Sequence, residues 1–248
     1  GIASAEQVLV ASAAVENTVP EVVRACELGC KRLSRADLLA ELFNAAACGI
    51  AIGGTSGKST VTGMAGWIMQ ATGRDPTIMN GAVMKNFVSP QAPFASARVG
   101  NGDVFVSEVD ESDGSIALYR PAVAVLLNVS LDHKSMNELR GLFGDFLSRA
   151  ETCAVNLDDT EAAALVPRGQ SVIGFGIDSP QAQIGVVPGS VEPGPLSTQA
   201  QVTDRRDNTT HALSLKVPGR HNLSNALAAI AACAAAGVPV ADSVARSE

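Results

Sequence analysis

Residues Gly49 to Thr62 read Gly-Ile-Ala-Ile-Gly-Gly-Thr-Ser-Gly-Lys-Ser-Thr-Val-Thr, and this stretch constrains the fold more than any other. A short apolar run, a glycine-rich turn and a helix-forming segment in immediate succession predict a buried strand, a tight loop and a helix. Such a unit cradles phosphate. Gly53, Gly54 and Gly57 carry no Cβ, so the loop can take left-handed dihedrals and aim several backbone N–H groups at one anion. The start of the helix adds its positive dipole end. Lys58 then lies over the β- and γ-phosphates of a nucleotide, and the Ser59 hydroxyl ligates Mg2+. The long motif G-x-x-x-x-G-K-[ST] wants glycine where this chain has Ile52, so the match is to the shorter G-x-x-G-K-S-T form. A glycine turn carrying a solvated lysine is the other reading of these residues.

Strands and helices alternate around this unit. Strands are expected at Val8 to Ala13, Cys30 to Leu33, Thr77 to Asn80, Val104 to Glu108, Ala122 to Asn128 and Cys153 to Asn156. Helices are expected at Pro20 to Leu28, Ala36 to Ala47, Ser59 to Ala71, Met136 to Ala150 and Gly219 to Ala236. Ala122 to Leu127 is apolar throughout, as a strand covered on both faces must be. The fold class is therefore α/β, a mainly parallel doubly wound sheet carrying a phosphate loop. From Ser171 to Val217, Gly, Pro, Ser and Thr are enriched and short alternating runs appear, which predicts a small antiparallel sheet or hairpin.

Composition excludes several classes. A chain of 248 residues, 46% hydrophobic, can fill a sizeable core. Its net charge of −7, without a block of Lys or Arg, argues against nucleic acid and anionic membrane as partners. No 18-residue apolar run and no signal-peptide layout occur, so the expectation is a soluble, cytoplasmic protein. The five cysteines form no C-x-x-C pair, and neither a disulfide framework nor a zinc site is indicated.

Three further clusters bear chemistry. Ser107-Glu108-Val109-Asp110-Glu111-Ser112-Asp113 follows a predicted strand, where ligands bind in open α/β sheets, and a carboxylate there suits a hard cation on nucleotide phosphates. A solvated acidic loop has the same composition. Asp132-His133 likewise follows a strand. Asn222 and Asn225, spaced i, i+3, share one face of a helix's first turn, where helix capping is the competing role.

Taken together, Gly54-Thr55-Ser56-Gly57-Lys58-Ser59-Thr60, Glu108 to Asp113, Asn128-Val129-Ser130-Leu131-Asp132-His133 and Gly219-Arg220-His221-Asn222-Leu223-Ser224-Asn225-Ala226 resemble, in order and spacing, the Mur ligases. These are ATP-dependent amide-forming enzymes of peptidoglycan precursor synthesis. The acidic string, Ala11-Ser12-Ala13, Asn17, Pro20-Glu21 and the segment from Ala36 to Leu42 are similar to the subgroup that joins L-alanine to UDP-N-acetylmuramate, with the murein tripeptide ligases next.

The resemblance implies ATP and Mg2+ as cofactors, and a UDP-sugar carboxylate and an amino acid as partners. It assigns Gly53, Gly54, Thr55, Ser56, Gly57, Lys58, Ser59 and Thr60 to the phosphates, and Asn222 and Asn225 to adenine. Ser59 and Glu108 are implied as Mg2+ ligands, His133 as part of a second metal site, and Lys58, Glu108 and His133 as the catalytic set. Asn80, Asn86, Arg220 and His221 are implied on the substrate side. Ser56, Met79-Asn80-Gly81 and Lys134-Ser135 depart from the usual family pattern. The implied domains are a remnant of a Rossmann-like UDP-binding domain over residues 1–47 and a central ATP-binding domain over 48–248, with the C-terminal ligase domain absent. A nucleotide-binding module without ligase activity remains open, as does a P-loop kinase or plain ATPase, although this last reading leaves Gly219 to Asn225 unexplained.

Overall fold

The computed structural model describes residues 1–12, 14–131 and 134–247, so Ala13, Asp132, His133 and Glu248 lie outside it. The chain divides into two compact units, Gly1–Ala45 and Ala46–Glu248.

The first unit is a βαβα piece. Strand β1 (Val8–Ala11) pairs in parallel with β2 (Lys31–Ser34) across helix α1 (Pro20–Leu28), and α2 (Arg35–Asn44) follows. Pro20 opens α1 where its missing N–H costs nothing, and Gly29 closes it in the left-handed region. Ser34 and Asp37 cap α2 reciprocally, each side chain accepting from the other's backbone N–H. Among the described residues of this unit, Val22, Ala25, Cys30, Ala40 and Phe43 are buried.

The second unit is built on one large sheet. Its strands are β3 (Cys48–Gly53), β4 (Thr77–Met79), β5 (Ala97–Arg98), β6 (Val104–Glu108), β7 (Val123–Leu126), β8 (Thr152–Asn156), β9 (Ser171–Gly176), β10 (Ile184–Val186), β11 (Glu192–Pro193), β12 (Thr198–Asp204) and β13 (Thr209–Leu215). Its helices are α3 (Lys58–Ala71), α4 (Met136–Ser148), α5 (Thr160–Ala164), α6 (Arg220–Ala235) and α7 (Val240–Ala245). The spatial order is β11-β12-β10-β9-β8-β7-β3-β6-β4-β5, with β13 on β12. From β4 to β10 every neighbouring pair is parallel, and β5, β11, β12 and β13 pair antiparallel.

Parity along β3 separates the two faces. Ile50 and Ile52 join the core beneath α3 and α6, with Ala65, Ile68, Met69, Leu223, Leu227 and Ile230. On the opposite face, a Cβ on Gly53 would stand 3.1 Å from Phe146 and 3.6 Å from Phe143, both on α4. The result is helix, sheet, helix in three layers. Alanines 226, 228, 229, 231 and 232 of α6 are fully buried, and small side chains bring that helix close to α3 and the sheet. Burying a Leu, Ile or Phe here contributes about 1.5–3 kcal/mol each.

Most predicted elements appear with ends shifted by one to three residues. The region from Ser171 onward differs more. It does not form a separate antiparallel sheet: β9 and β10 prolong the parallel sheet, and the β12–β13 hairpin is hydrogen-bonded to it through β10. Glycines inside β9 hide the strand from pattern reading. A Cβ on Gly174 would lie 2.4 Å from Leu157, and one on Gly176 would lie 2.7 Å from the Asp158 carboxylate. The short helices α5 and α7 were also not anticipated. Of the cysteines, Cys30, Cys153 and Cys233 are buried and Cys26 is exposed. Burial pushes the Cys153 thiol up to about 11 and raises Cys233 further, so both act as small apolar groups.

Candidate functional site

The chain leaves β3 toward β6 and β4 on one side, then crosses back to β7 on the other. The carboxyl end of β3 is therefore a topological switch point, where open α/β sheets leave a crevice for ligands. Three segments meet there: the loop after β3, the acidic loop after β6, and Asn128–Ser130 after β7.

The loop Gly53–Ser59 is clamped from the β7 side. Thr55 N donates to Asn128 O at 3.1 Å, Ser56 N to Asn128 Oδ1 at 2.9 Å, and Asn128 Nδ2 back to Ser56 O at 3.0 Å. Ser130 N donates to Thr55 Oγ1 at 3.0 Å. The amides of Thr55 and Ser56 are thus engaged with Asn128, whereas the N–H groups of the first turn of α3 have no intrahelical partner and can face an anion. Gly57 adopts φ 90°, and a Cβ there would stand 2.8 Å from Asn225 Oδ1. Both its conformation and its neighbour require glycine.

Lys58 and Ser59 each meet a carboxylate from the β6 loop. Ser59 Oγ donates to Glu108 Oε2 at 2.7 Å. Lys58 Nζ donates to Gly54 O at 2.7 Å and to Glu111 at 3.0 and 3.3 Å. Parallel pairing of Ile52 with Glu108 brings Glu108 beside the loop. A Cβ on Gly81 would fall 2.1 Å from Glu108 Oε1, so the absence of a side chain at 81 makes room for that carboxylate.

The pairing tests the fit to Mg2+. A hydroxyl and a carboxylate oxygen stand side by side, and they are the hard donors this cation takes, with phosphate oxygens and waters completing its shell. Among the described residues, no group of three or more His, Cys, Asp or Glu side chains gathers to hold a metal by itself.

The other sequence-derived candidates sort as follows. Asn80 is buried, and its side chain is already in use: Nδ2 donates to Ser59 O at 3.0 Å and Oδ1 accepts from Ala82 N at 3.2 Å. It fixes the first turn of α3 to the end of β4. Asn86 is exposed and shares with Ser59, Thr60 and Asn80 a cavity of about 600 Å3 walled by Trp67 and Phe87. Asn225 adjoins the phosphate loop at Gly57, whereas Asn222 Nδ2 donates to Pro218 O at 2.7 Å across the start of α6. Arg220 pairs with Asp178, and the exposed His221 ring lies against Gly219. His133 lies outside the described residues.

Glu111 and Asn128 were not among the candidate site residues. Each belonged to a quoted motif, but only the tertiary pairing shows what it touches.

The family described as the Mur ligase middle domain matches residues 52–233. The chain belongs to the Mur ligase family. It is 35% identical over 240 residues to a UDP-N-acetylmuramate–L-alanine ligase of Persephonella marina, covering 94% of this chain and 49% of the relative. It is 37% identical over 245 residues to the enzyme of that name from Streptomyces avermitilis, covering 94% and 50%. It therefore spans about half the length of the relatives it matches. Among solved structures, the fold resembles the UDP-N-acetylmuramate–alanine ligase of Thermotoga maritima, with TM-score 0.80, 23% identity, and 97% and 54% of the two chains covered. It also resembles a murein peptide ligase of Psychrobacter arcticus, with TM-score 0.81, 23% identity, and 96% and 54% covered. The shared fold is the mixed, mainly parallel α/β architecture described above. Among the described residues, no helix is long and apolar enough to cross a membrane.

Proposed function

We propose that this chain is the ATP-binding part of a peptidoglycan-precursor ligase that joins L-alanine, or a related amino acid or peptide, to UDP-N-acetylmuramate in the cytoplasm. The observation that carries the reading is the pairing of Ser59 Oγ with Glu108 at 2.7 Å next to the Lys58 ammonium, on a glycine loop at the centre of the sheet. Named relatives with that activity, 35% and 37% identical, support the choice of reaction. The unit Gly1–Ala45 we read as part of the UDP-sugar-binding domain, on its parallel βαβ form.

In this reading Gly57, Lys58 and the first turn of α3 hold the triphosphate, and Asn128 braces the loop so that binding does not have to order it. Lys58 neutralises charge on the transferring phosphoryl group as it passes to the sugar carboxylate, and the amino acid's amine then displaces it. Ser59 and Glu108 would hold Mg2+, which neutralises phosphate charge when bound. Asn222 and Asn225 orient adenine; Asn86, Arg220 and His221 approach the sugar nucleotide, and Asn80 supports that side through α3. His133 belongs to a second metal site.

Calorimetry of this chain with Mg2+ and a non-hydrolysable ATP analogue should give saturable binding, and none up to millimolar ligand would defeat the nucleotide assignment. In the gene product that carries this sequence, phosphate release from ATP should require both UDP-N-acetylmuramate and L-alanine. Release that ignores both co-substrates would make it an ATPase. Binding without release, whatever the amino acid, would leave a nucleotide-binding module.

A further inference from the structure

Glu111 has no part in the proposed reaction, yet it touches the group that reaction most needs. Its side chain is only 6% exposed, and it brackets the Lys58 ammonium, itself 19% exposed, with both carboxylate oxygens. The contact is set by backbone and not by a floppy surface chain. Val109 N donates to Ile52 O at 3.0 Å, which ties the acidic loop to β3, and Ile116 N donates to Asp110 O at 3.0 Å, which closes the loop behind Glu111.

We propose that Glu111 is an electrostatic gate on the phosphate loop. It is a positioning residue that holds Lys58 in the nucleotide-free chain and makes entry of a polyphosphate conditional on a divalent cation. The inference rests on the nucleotide reading above. A phosphate that takes Lys58 must replace Glu111 as its partner, and Glu111 is then a buried carboxylate without a cation, close to added negative charge. Buried charges do not tolerate this uncompensated. Like charges a few ångströms apart in a poorly screened site repel strongly. A dication held at Ser59 and Glu108 offsets the excess charge. Two neighbouring carboxylates thus divide the metal requirement: Glu108 by ligation, Glu111 by charge balance.

The division is testable because Glu111→Gln keeps the shape and an oxygen acceptor for Lys58 while removing the charge. By calorimetry of the 248-residue chain, metal-free ATP in EDTA should bind Glu111→Gln about ten-fold tighter than the parent, or more, a gain of about 1.4 kcal/mol. The ratio of Mg-ATP to metal-free affinity should shrink accordingly. Glu111→Asp, which keeps the charge, should retain the parent's metal dependence. A purely structural ion pair would instead weaken both ligand forms together in Glu111→Gln, leaving their ratio unchanged. Metal-free ATP bound no tighter by Glu111→Gln than by the parent overturns the gate.

Should Glu111→Gln fail to fold, the parent supplies its own test. Inorganic tripolyphosphate should raise the parent's melting temperature with Mg2+ present and not in EDTA, and equal shifts in both overturn the proposal. A parent that binds neither Mg-ATP nor Mg-tripolyphosphate removes the nucleotide reading itself. Mg-ATP binding with unchanged metal dependence in Glu111→Gln removes only the gate.

Discussion

The phosphate loop and the start of α6 both carry motif residues of the same candidate site, yet they are held in opposite ways. At the loop, the side chains that would meet ligand are partly sheltered and already paired, Lys58 with Glu111 and Ser59 with Glu108, while Asn128 holds the loop backbone through exposed bonds. At the start of α6 the corresponding contacts face water. Arg220 and Asp178 are 55% and 76% exposed at the side chain, and the Asn222 amide bonds to the backbone of its own turn. Charge exchange needs a low-dielectric, preorganised setting, whereas recognition of a neutral base needs only a few oriented donors and acceptors. Asn225 joins the two regions, because its amide oxygen abuts Gly57.

The largest effect is expected at the sheltered end. Lys58→Ala should weaken Mg-ATP binding about a hundred-fold by calorimetry, through loss of charge-assisted bonds to phosphate. It should also cost about 3 kcal/mol in urea unfolding, since Glu111 is left buried without its partner. Loss of binding with unchanged stability would mean that the ion pair is not part of the fold's support.

Gly57→Ala probes the link between the regions. Forcing φ 90° on alanine costs about 1–2 kcal/mol, and the new Cβ would lie 2.8 Å from Asn225 Oδ1. Affinity for adenosine alone should fall along with affinity for ATP. If adenosine binding is untouched, the two regions act independently.

Glu108→Gln is a milder change, expected to reduce Mg-dependent nucleotide affinity about ten-fold (about 1.4 kcal/mol). Ser59 can still donate to the amide oxygen, so the melting curve should move by less than about 1 kcal/mol. A variant that melts early yet binds Mg-ATP normally would assign Glu108 to the scaffold.

The smallest effect belongs to the exposed end. Arg220→Ala should change stability by about 0–1 kcal/mol in denaturant titration, as solvent-exposed ion pairs do. A larger loss would show that the two regions are less different than their exposure indicates.

Much of this was legible in the chain itself. The run Gly49 to Thr62 specifies strand, turn and helix locally, because apolar period, missing Cβ atoms and helix-start chemistry act within a few residues of one another. The apolar run at Ala122 to Leu127 likewise announced a central parallel strand, observed as Val123–Leu126. Strand β9 was harder to see, since Gly174 and Gly176 answer to Leu157 and Asp158, which approach from another part of the chain. Asn80 carried a substrate role by motif position, but its amide is committed to Ser59 and Ala82 in the fold.

Sequence alone determined the glycine loop between a buried strand and a helix, the α/β class and the polar and acidic residue types available around that loop, because these depend on residue type and short-range order. Only the tertiary structure decided which acidic residue meets Lys58 and which meets Ser59, that Asn128 braces the loop, and that Asn225 touches Gly57. Those pairings join residues far apart in the chain, such as 58 with 111 and 57 with 225, through the order and register of the sheet. Distance along the chain gives no measure of approach across it.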